Sequence, residues 1–315
     1  MSNLLELEGL SKGFTGRGPW GRSGETFWAV RDVDLAVAPG ETVGLVGESG
    51  CGKSTLARTA LRLLEPDTGS VRFSDTELTS LGPRALREAR RDLQIVLQDP
   101  FASLDPRMRV ERIVGEGLAI HGMGDRGSRR RRIAEVLERC GLSPEAADKL
   151  PHQFSGGQRQ RIGIARALAM DPRLIICDEP ISALDVSIQA QILNLLTDLQ
   201  REMGLAYLFI SHDLGVVRHL CDRVAVMYGG RIVEQAPADA LFHSPAHPYT
   251  RGLLAALPGA RRQRGSRISA AAKRPVEGQC PFYARCPDAE PACTQWDFQA
   301  YNLGRGREVA CRRAV

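Results

Sequence analysis

Residues 47–55 read Gly47-Glu48-Ser49-Gly50-Cys51-Gly52-Lys53-Ser54-Thr55 and contain the spacing G-x-x-x-x-G-K-S. This is the pattern of a loop that wraps phosphate. Gly47, Gly50 and Gly52 allow the backbone to pass close to a phosphate with its N–H groups turned inward. Lys53 can reach the outer phosphates, and the Ser54 hydroxyl can ligate Mg²⁺. A helical pattern opening at Thr55 adds the positive potential of a helix N-terminus. Cys51 reads as a small side chain tolerated in the loop, not as a nucleophile. A second group of chemical interest closes the apolar run of residues 174–180, LIICDEP, where Asp178 and Glu179 follow a strand-like stretch. The C-terminal ends of strands are where α/β sheets hold ligands. Asp178 suits anchoring of Mg²⁺, and Glu179 suits a base that polarises water. An acidic pair in this place would otherwise read as a helix cap; the phosphate loop tips it toward catalysis.

The elements that must position these groups are legible as alternating patterns. Leu4–Leu10 alternates apolar and polar residues, as do Val33, Leu35 and Val37, and Thr42–Val46 is a short apolar run that stops at the loop. Residues 16–24, GRGPWGRSG, read as a turn-rich loop. Helical spacing is expected over Thr55–Leu64, over residues 84–92, over most of 110–170 with a break at Gly122–Gly127, and over Ser187–Met203. Leu93–Leu97, Leu174–Cys177 and Leu205–Ile210 read as buried strands. Val224–Met227, Gly229-Gly230 and Arg231–Glu234 read as strand, tight turn and strand. Strands alternating with helices predict an α/β domain with a mainly parallel sheet.

Residues 154–161, FSGGQRQR, resemble the signature motif of the ATP-binding cassette (ABC) ATPases, with Phe154 where leucine is usual. Gln98 in LQDP resembles the Q-loop glutamine, Asp185 in SALD the D-loop aspartate, and His212 in ISHD the switch histidine. The resemblance implies an α/β fold of the P-loop NTPase, ABC ATPase type. Such a fold has a mixed core sheet, an antiparallel β subdomain and a helical signature subdomain over about residues 105–170. It implies that Lys53 and Ser54 hold phosphate and Mg²⁺, with Gln98 and Asp178 also at the metal. Glu179 is then the base, His212 contacts the γ-phosphate, and Gln98 links the metal and water to the membrane subunits. Ser155, Gly156, Gly157 and Gln158 would serve ATP held by a second subunit, and Asp185 would be a further nucleotide-site residue. A Ser-Gly-Gly helix start is itself suited to anions. Phe14 in LSKGF matches the aromatic that stacks on adenine, with Phe27 and Trp28 competing for that role.

Residues 243–254, HSPAHPYTRGLL, resemble the His-Pro-Tyr segment of oligopeptide/dipeptide importer ATPases, and residues 98–110 resemble the same subfamily. This implies a peripheral ATPase on the cytoplasmic face of the bacterial plasma membrane. It would dock under two permease subunits through the helical region and be supplied by an extracytoplasmic solute-binding protein. The chain carries one set of nucleotide motifs, so a second ATPase subunit is expected, either a different chain or a second copy. Peptides, nickel chelates, glutathione and opines are solutes of the relatives. The rival reading is a soluble ABC-type ATPase acting on nucleic acid or ribosomes. Such proteins usually fuse two cassettes or insert long coiled coils, and neither pattern is present.

Composition adds a division within the chain. It has 315 residues, 43% hydrophobic and 25% charged, with a net charge of +5. From residue 255 onward there are eleven Lys and Arg against five Asp and Glu, a surplus of six, so residues 1–254 carry a net −1. A nucleic-acid binder would be expected to spread its basic surplus more widely. No apolar run is long enough to span a bilayer, and the start lacks the pattern of a secretory signal. The Arg129–Arg132 run reads as a solvated helix face or as a contact for anionic lipid headgroups.

Four of the eight cysteines, Cys280, Cys286, Cys293 and Cys311, fall in the tail with spacing C-x₅-C-x₆-C-x₁₇-C. That spacing matches neither short zinc motifs nor ferredoxin patterns. Iron–sulfur, zinc and no metal all stay open on the residues alone. The importer resemblance implies a four-cysteine [4Fe–4S] cluster. It divides the chain into a nucleotide-binding domain over residues 1–257 and a small Cys-rich domain over residues 258–315.

Overall fold

The structure, a computed structural model, describes residues 3–17, 23–99, 101–257, 279–295 and 298–314. The tip of the expected loop, residues 18–22, and the expected boundary at Pro258 lie outside the described residues. The strands are β1 (Leu5–Arg17), β2 (Ser23–Val37), β3 (Thr42–Val46), β4 (Thr68–Phe73), β5 (Thr76–Glu77), β6 (Leu93–Val96), β7 (Leu174–Asp178), β8 (Ala206–Ile210), β9 (Arg223–Tyr228), β10 (Arg231–Pro237), β11 (Tyr301–Gly304) and β12 (Arg307–Val309). The helices are α1 (Lys53–Ala60), α2 (Pro83–Ala89), α3 (Val110–Val114), α4 (Glu116–Ile120), α5 (Arg126–Arg139), α6 (Gly156–Leu168), α7 (Val186–Met203), α8 (Leu214–Leu220), α9 (Ala238–His243) and α10 (Pro248–Ala255). They fall into two compact units.

The first unit comprises Met1–Leu4, Val37–Glu41 and Phe73–Ile210. Its strands β6, β7 and β8 are parallel, with Leu93 opposite Leu174 and Leu174 opposite Ala206. All five residues of β7 and of β8 are buried. This is why both read as unbroken apolar runs: a parallel strand covered on both faces has no polar face to show. In α7, Ile192, Leu196 and Leu199 are buried at the spacing of one helical stripe. The Tyr207 hydroxyl, buried beneath it, donates to the Leu196 carbonyl at 3.1 Å.

The expected helical stretch is realised as α3 to α6, joined by 3₁₀ turns at Pro144–Asp148 and Pro151–Gln153. The predicted glycine-rich break is shorter than expected. Asp125 caps α5 by accepting from Ser128 N at 2.7 Å, so Arg126 and Gly127 are already helical. The arginine run is not simply a solvated face. Arg132 reaches across to the carbonyls of Leu168 (3.0 Å) and Ala169 (3.3 Å), capping the end of α6.

The second unit comprises Leu5–Ala36, Thr42–Arg72 and Ser211–Val315. In one sheet β2, β1 and β4 are neighbours in that order. In the other, β3 and β9 are parallel, with Val46 opposite Val226, whereas β9–β10, β10–β12 and β12–β11 are antiparallel. This sheet is therefore mixed. The predicted strand-turn-strand is the β9–β10 hairpin, and Gly229 and Gly230 both have positive φ (55° and 83°), as a tight hairpin turn of this hand requires. The tail strands β12 and β11 extend that same sheet, with Glu234 opposite Val309. Helix α1 ends earlier than its apolar spacing suggests. Arg62 turns to φ 49° and its guanidinium closes on Glu65 at 2.9 and 3.0 Å, leaving Leu63 51% exposed. Among the described residues no helix is long and apolar enough to cross a membrane.

Because Ile176 is fully buried in the middle of β7, Ile176→Ala is expected to lower unfolding free energy by about 2–5 kcal/mol. Urea denaturation of the variant against wild type measures this; a loss below about 0.5 kcal/mol would contradict close packing there.

Candidate functional site

The phosphate loop leaves the buried strand β3 and enters α1. Gly52 has φ 111°, and a Cβ there would collide with the Ala29 carbonyl, so the loop follows a path open only to glycine. Lys53 is 5% exposed, and its ammonium donates to the carbonyls of Gly47 (2.9 Å) and Glu48 (3.1 Å). The lysine thus curls back over its own loop. Cys51 is buried, and burial pushes its thiol up despite nearby Lys53, which agrees with an inert role. Ser54 and Thr55 lie in the first turn of α1. The backbone N–H of Glu48 donates to the Tyr249 hydroxyl at 2.9 Å.

Asp178 ends β7 and is 2% exposed. Glu179 follows in a left-handed conformation (φ 48°), with its N–H donating to the Ile210 carbonyl at 3.1 Å. This non-glycine strain turns the carboxylate out of the strand line. Gln98 donates from Nε2 to Glu179 Oε2 at 2.9 Å, so the predicted Q-loop glutamine and the predicted base are brought together. Asp185 is exposed at the N-cap of α7.

Ser155 caps α6 with its Oγ accepting from Gln158 N (3.3 Å), and Gln158 Oε1 accepts from Ser155 N (3.0 Å). This reciprocal capping box is written in the sequence as S-x-x-Q. It holds the helix start rigid, with the backbone of Gly156 and Gly157 forming its first turn. His212 is exposed, between buried Ser211 and Asp213, which caps α8 by accepting from Gly215 N at 2.8 Å. Phe14 and Phe27 are 44% and 64% exposed. The hydroxyls of Thr15 and Thr26 meet at 3.1 Å, so alternation places Phe14 and Phe27 together on the opposite face of β1 and β2. Trp28 packs over Gly13, where a Cβ would lie 3.2 Å from its ring.

The four tail cysteines line one cavity together with Phe282, Tyr283 and Asp288. Burial pushes the thiols of Cys280, Cys286 and Cys311 up, Cys280 to about 12 and Cys286 to about 11. Backbone N–H groups act in the opposite sense: Phe282 on Cys280, Asp288 on Cys286, and Arg313 and Ala314 on Cys311. Such donors stabilise a thiolate once it binds a positive centre. Among the described residues no three His, Cys, Asp or Glu side chains converge as ligands of a single metal ion.

The segment before α10 shows an anchor that sequence reasoning missed. Glu234 is 2% exposed in β10, and its carboxylate accepts from Ala246 N (2.8 Å) and His247 N (2.9 Å). His247 is 1% exposed, and its Nδ1 accepts from Tyr249 N at 3.0 Å, capping α10. The chain from β10 to Tyr249, and so to the phosphate loop, is one hydrogen-bonded path.

The family model described as "ABC transporter" matches residues 30–182, and "Oligopeptide/dipeptide transporter, C-terminal region" matches residues 233–293. A putative peptide import ATP-binding protein of Brucella ovis is 47% identical over 98% of both chains. The oligopeptide transport ATP-binding protein AppF of Bacillus subtilis is 47% identical over 98% of this chain and 96% of its own. The solved dimeric cassette MJ0796, in a post-hydrolysis state bound to ADP and Pi, has a TM-score of 0.66 and 31% identity, covering 74% of this chain and 98% of that one.

The His247 cap carries a pH signature. Burial lowers its pKa from 6.5 to about 3, so the folded protein keeps it neutral where the unfolded chain takes a proton. Its contribution is complete above pH 6.5 and is lost as pH falls toward 3, by at most about 1.4 kcal/mol per pH unit. Glu234 has the opposite sign, its pKa raised chiefly by burial, and is common to both proteins compared here. His247→Asn keeps an acceptor but cannot titrate. Between pH 6.5 and 5 it is expected to lose about 2 kcal/mol less than wild type in urea denaturation; parallel losses would show that His247 protonates in the folded state.

Proposed function

The chain belongs to the ABC transporter ATP-binding family and is an ATPase of that type, and we propose that it powers import of peptides or a related small solute through two permease subunits. The reading is carried by end-to-end similarity to peptide import ATP-binding proteins, reaching into the C-terminal region. In this reading Lys53 and the loop 47–55 bind the phosphates of ATP, and Ser54, Gln98 and Asp178 hold Mg²⁺. Glu179 polarises the attacking water, oriented by its hydrogen bond from Gln98. His212 contacts the γ-phosphate. Phe14, with Phe27 beside it on the same exposed face, stacks on adenine.

The rigid start of α6 at Ser155–Gln158 and the exposed Asp185 serve ATP held by a second ATPase subunit. The dimeric form of the related cassette supports that pairing. A heterodimer partner, an extracytoplasmic solute-binding protein, and peripheral attachment at the cytoplasmic face of the membrane complete the assembly. Residues 1–257 form the ATPase domain and 258–315 the C-terminal domain. The soluble alternative acting on nucleic acid or ribosomes is set aside because the full-length relatives are import proteins.

Cys280, Cys286, Cys293 and Cys311 hold a [4Fe–4S] cluster. Support comes from four sulfurs around one cavity and N–H donors aimed at three of them. When bound, the cluster ties the tail segments together; hydrolysis needs no electron transfer from it.

Glu179→Gln is expected to cut ATP turnover by about 10²–10⁴-fold while ATP binding persists and a closed dimer accumulates; near-wild-type hydrolysis would remove Glu179 from the base role. Protein purified anaerobically is expected to be brown, absorbing at roughly 400 nm with about four irons per chain. Colourless protein with one zinc per chain would overturn the cluster.

A further inference from the structure

The phosphate loop carries a carboxylate, Glu48, one residue after Gly47. A triphosphate arriving there meets a like charge unless that charge is answered. The answer comes from the cysteine segment, 237 residues away along the chain. Arg285 donates from Nη1 to Glu48 Oε2 at 2.7 Å and from Nη2 to Glu48 Oε1 at 2.8 Å, a fork-to-fork pair. Its side chain is 18% exposed and that of Glu48 40%.

Arg285 is itself held. It closes the 3₁₀ turn Tyr283–Arg285 directly before Cys286. Its guanidinium lies 5.6 Å from the centre of the Tyr228 ring and 6.0 Å from that of Phe282. Tyr228, Tyr249 and Phe282 pack against one another at 4.6, 5.1 and 5.5 Å between ring centres. The same cluster supplies the Tyr249 hydroxyl that accepts from Glu48 N. Both the main chain and the side chain of one loop residue are therefore gripped from the C-terminal region.

We infer that Arg285 is a positioning residue for the phosphate loop, neutralising Glu48 and fixing the loop so that ATP binds tightly only when the Arg285–Glu48 pair is made. The inference rests on the loop's being the ATP site. It differs from simple docking of the tail, for which the segment has another tie: Arg251 of α10 pairs with Asp288 at 2.7 Å, with no contact to the loop in that pair.

The test is calorimetric titration of ATP, in EDTA, into the full chain and its variants, with melting curves to confirm folding. Arg285→Ala is expected to weaken ATP binding by about tenfold, and in Mg²⁺ to raise KM for ATP with kcat retained. Arg251→Ala is expected to bind like wild type. Adding Glu48→Gln to Arg285→Ala is expected to recover most of the loss, because the unanswered charge is gone. Arg285→Lys, which keeps charge but not the fork, should fall between wild type and Arg285→Ala, and serves if the alanine variant does not fold. An Arg285→Ala or Arg285→Lys affinity equal to wild type overturns the inference. So does an equal loss in Arg251→Ala, or no recovery with Glu48→Gln. Wild-type protein that bound no ATP would remove the reading of the loop as well; wild type that binds, with Arg285→Ala unchanged, removes this inference alone.

Discussion

A lysine only 5% exposed, Lys53, sits inside a loop of nine residues. Burying a charge is costly unless hydrogen bonds replace the lost water. For Lys53 those bonds come from the carbonyls of Gly47 and Glu48. The loop must therefore curl back over its own lysine, and that path in turn demands glycine at 52, where Ala29 leaves no room for a Cβ. Strand β3 has to deliver the chain to this place fully buried, which it does beside β9 in parallel register. A held cation and a helix start are thus parts of one geometry.

The C-terminal third of the chain is best understood as the support for that loop. A buried carboxylate, Glu234, collects the N–H groups of Ala246 and His247, and His247 caps α10. Tyr249 in the first turn of α10 is then aimed at Glu48 N. The Glu234 carboxylate, His247 Nδ1 and the Tyr249 hydroxyl each accept a backbone N–H along this path, as a rigid polar network requires. The tail strands β11 and β12 add to the edge of the same sheet, so tail and loop share one framework within their unit.

Much of this was legible in local pattern. Short apolar runs marked the buried strands because parallel strands covered on both faces expose no polar side. Gly229-Gly230 marked a hairpin because both positions need positive φ. The S-x-x-Q of Ser155–Gln158 is equally readable as a capping box, because both of its hydrogen bonds span only three residues. Arg132 was not readable: a run of arginines looks solvated, and only the fold shows one of them capping α6 at Leu168 and Ala169. The early end of α1 was also hidden, since apolar spacing continues to Leu64 while the backbone turns at Arg62.

By itself the sequence determined the classes of chemistry, because residue type and short spacing decide which groups can bind phosphate, polarise water or offer thiolates. It also determined the α/β pattern, through periodicity that acts over a few residues. Only the tertiary structure decided which distant groups meet. Gln98 finds Glu179 across 81 residues, Tyr249 finds Glu48 across 201, and Arg285 finds it across 237. No local rule encodes such pairs, because each depends on how the strands register and on which side chains the packed core leaves within hydrogen-bond reach.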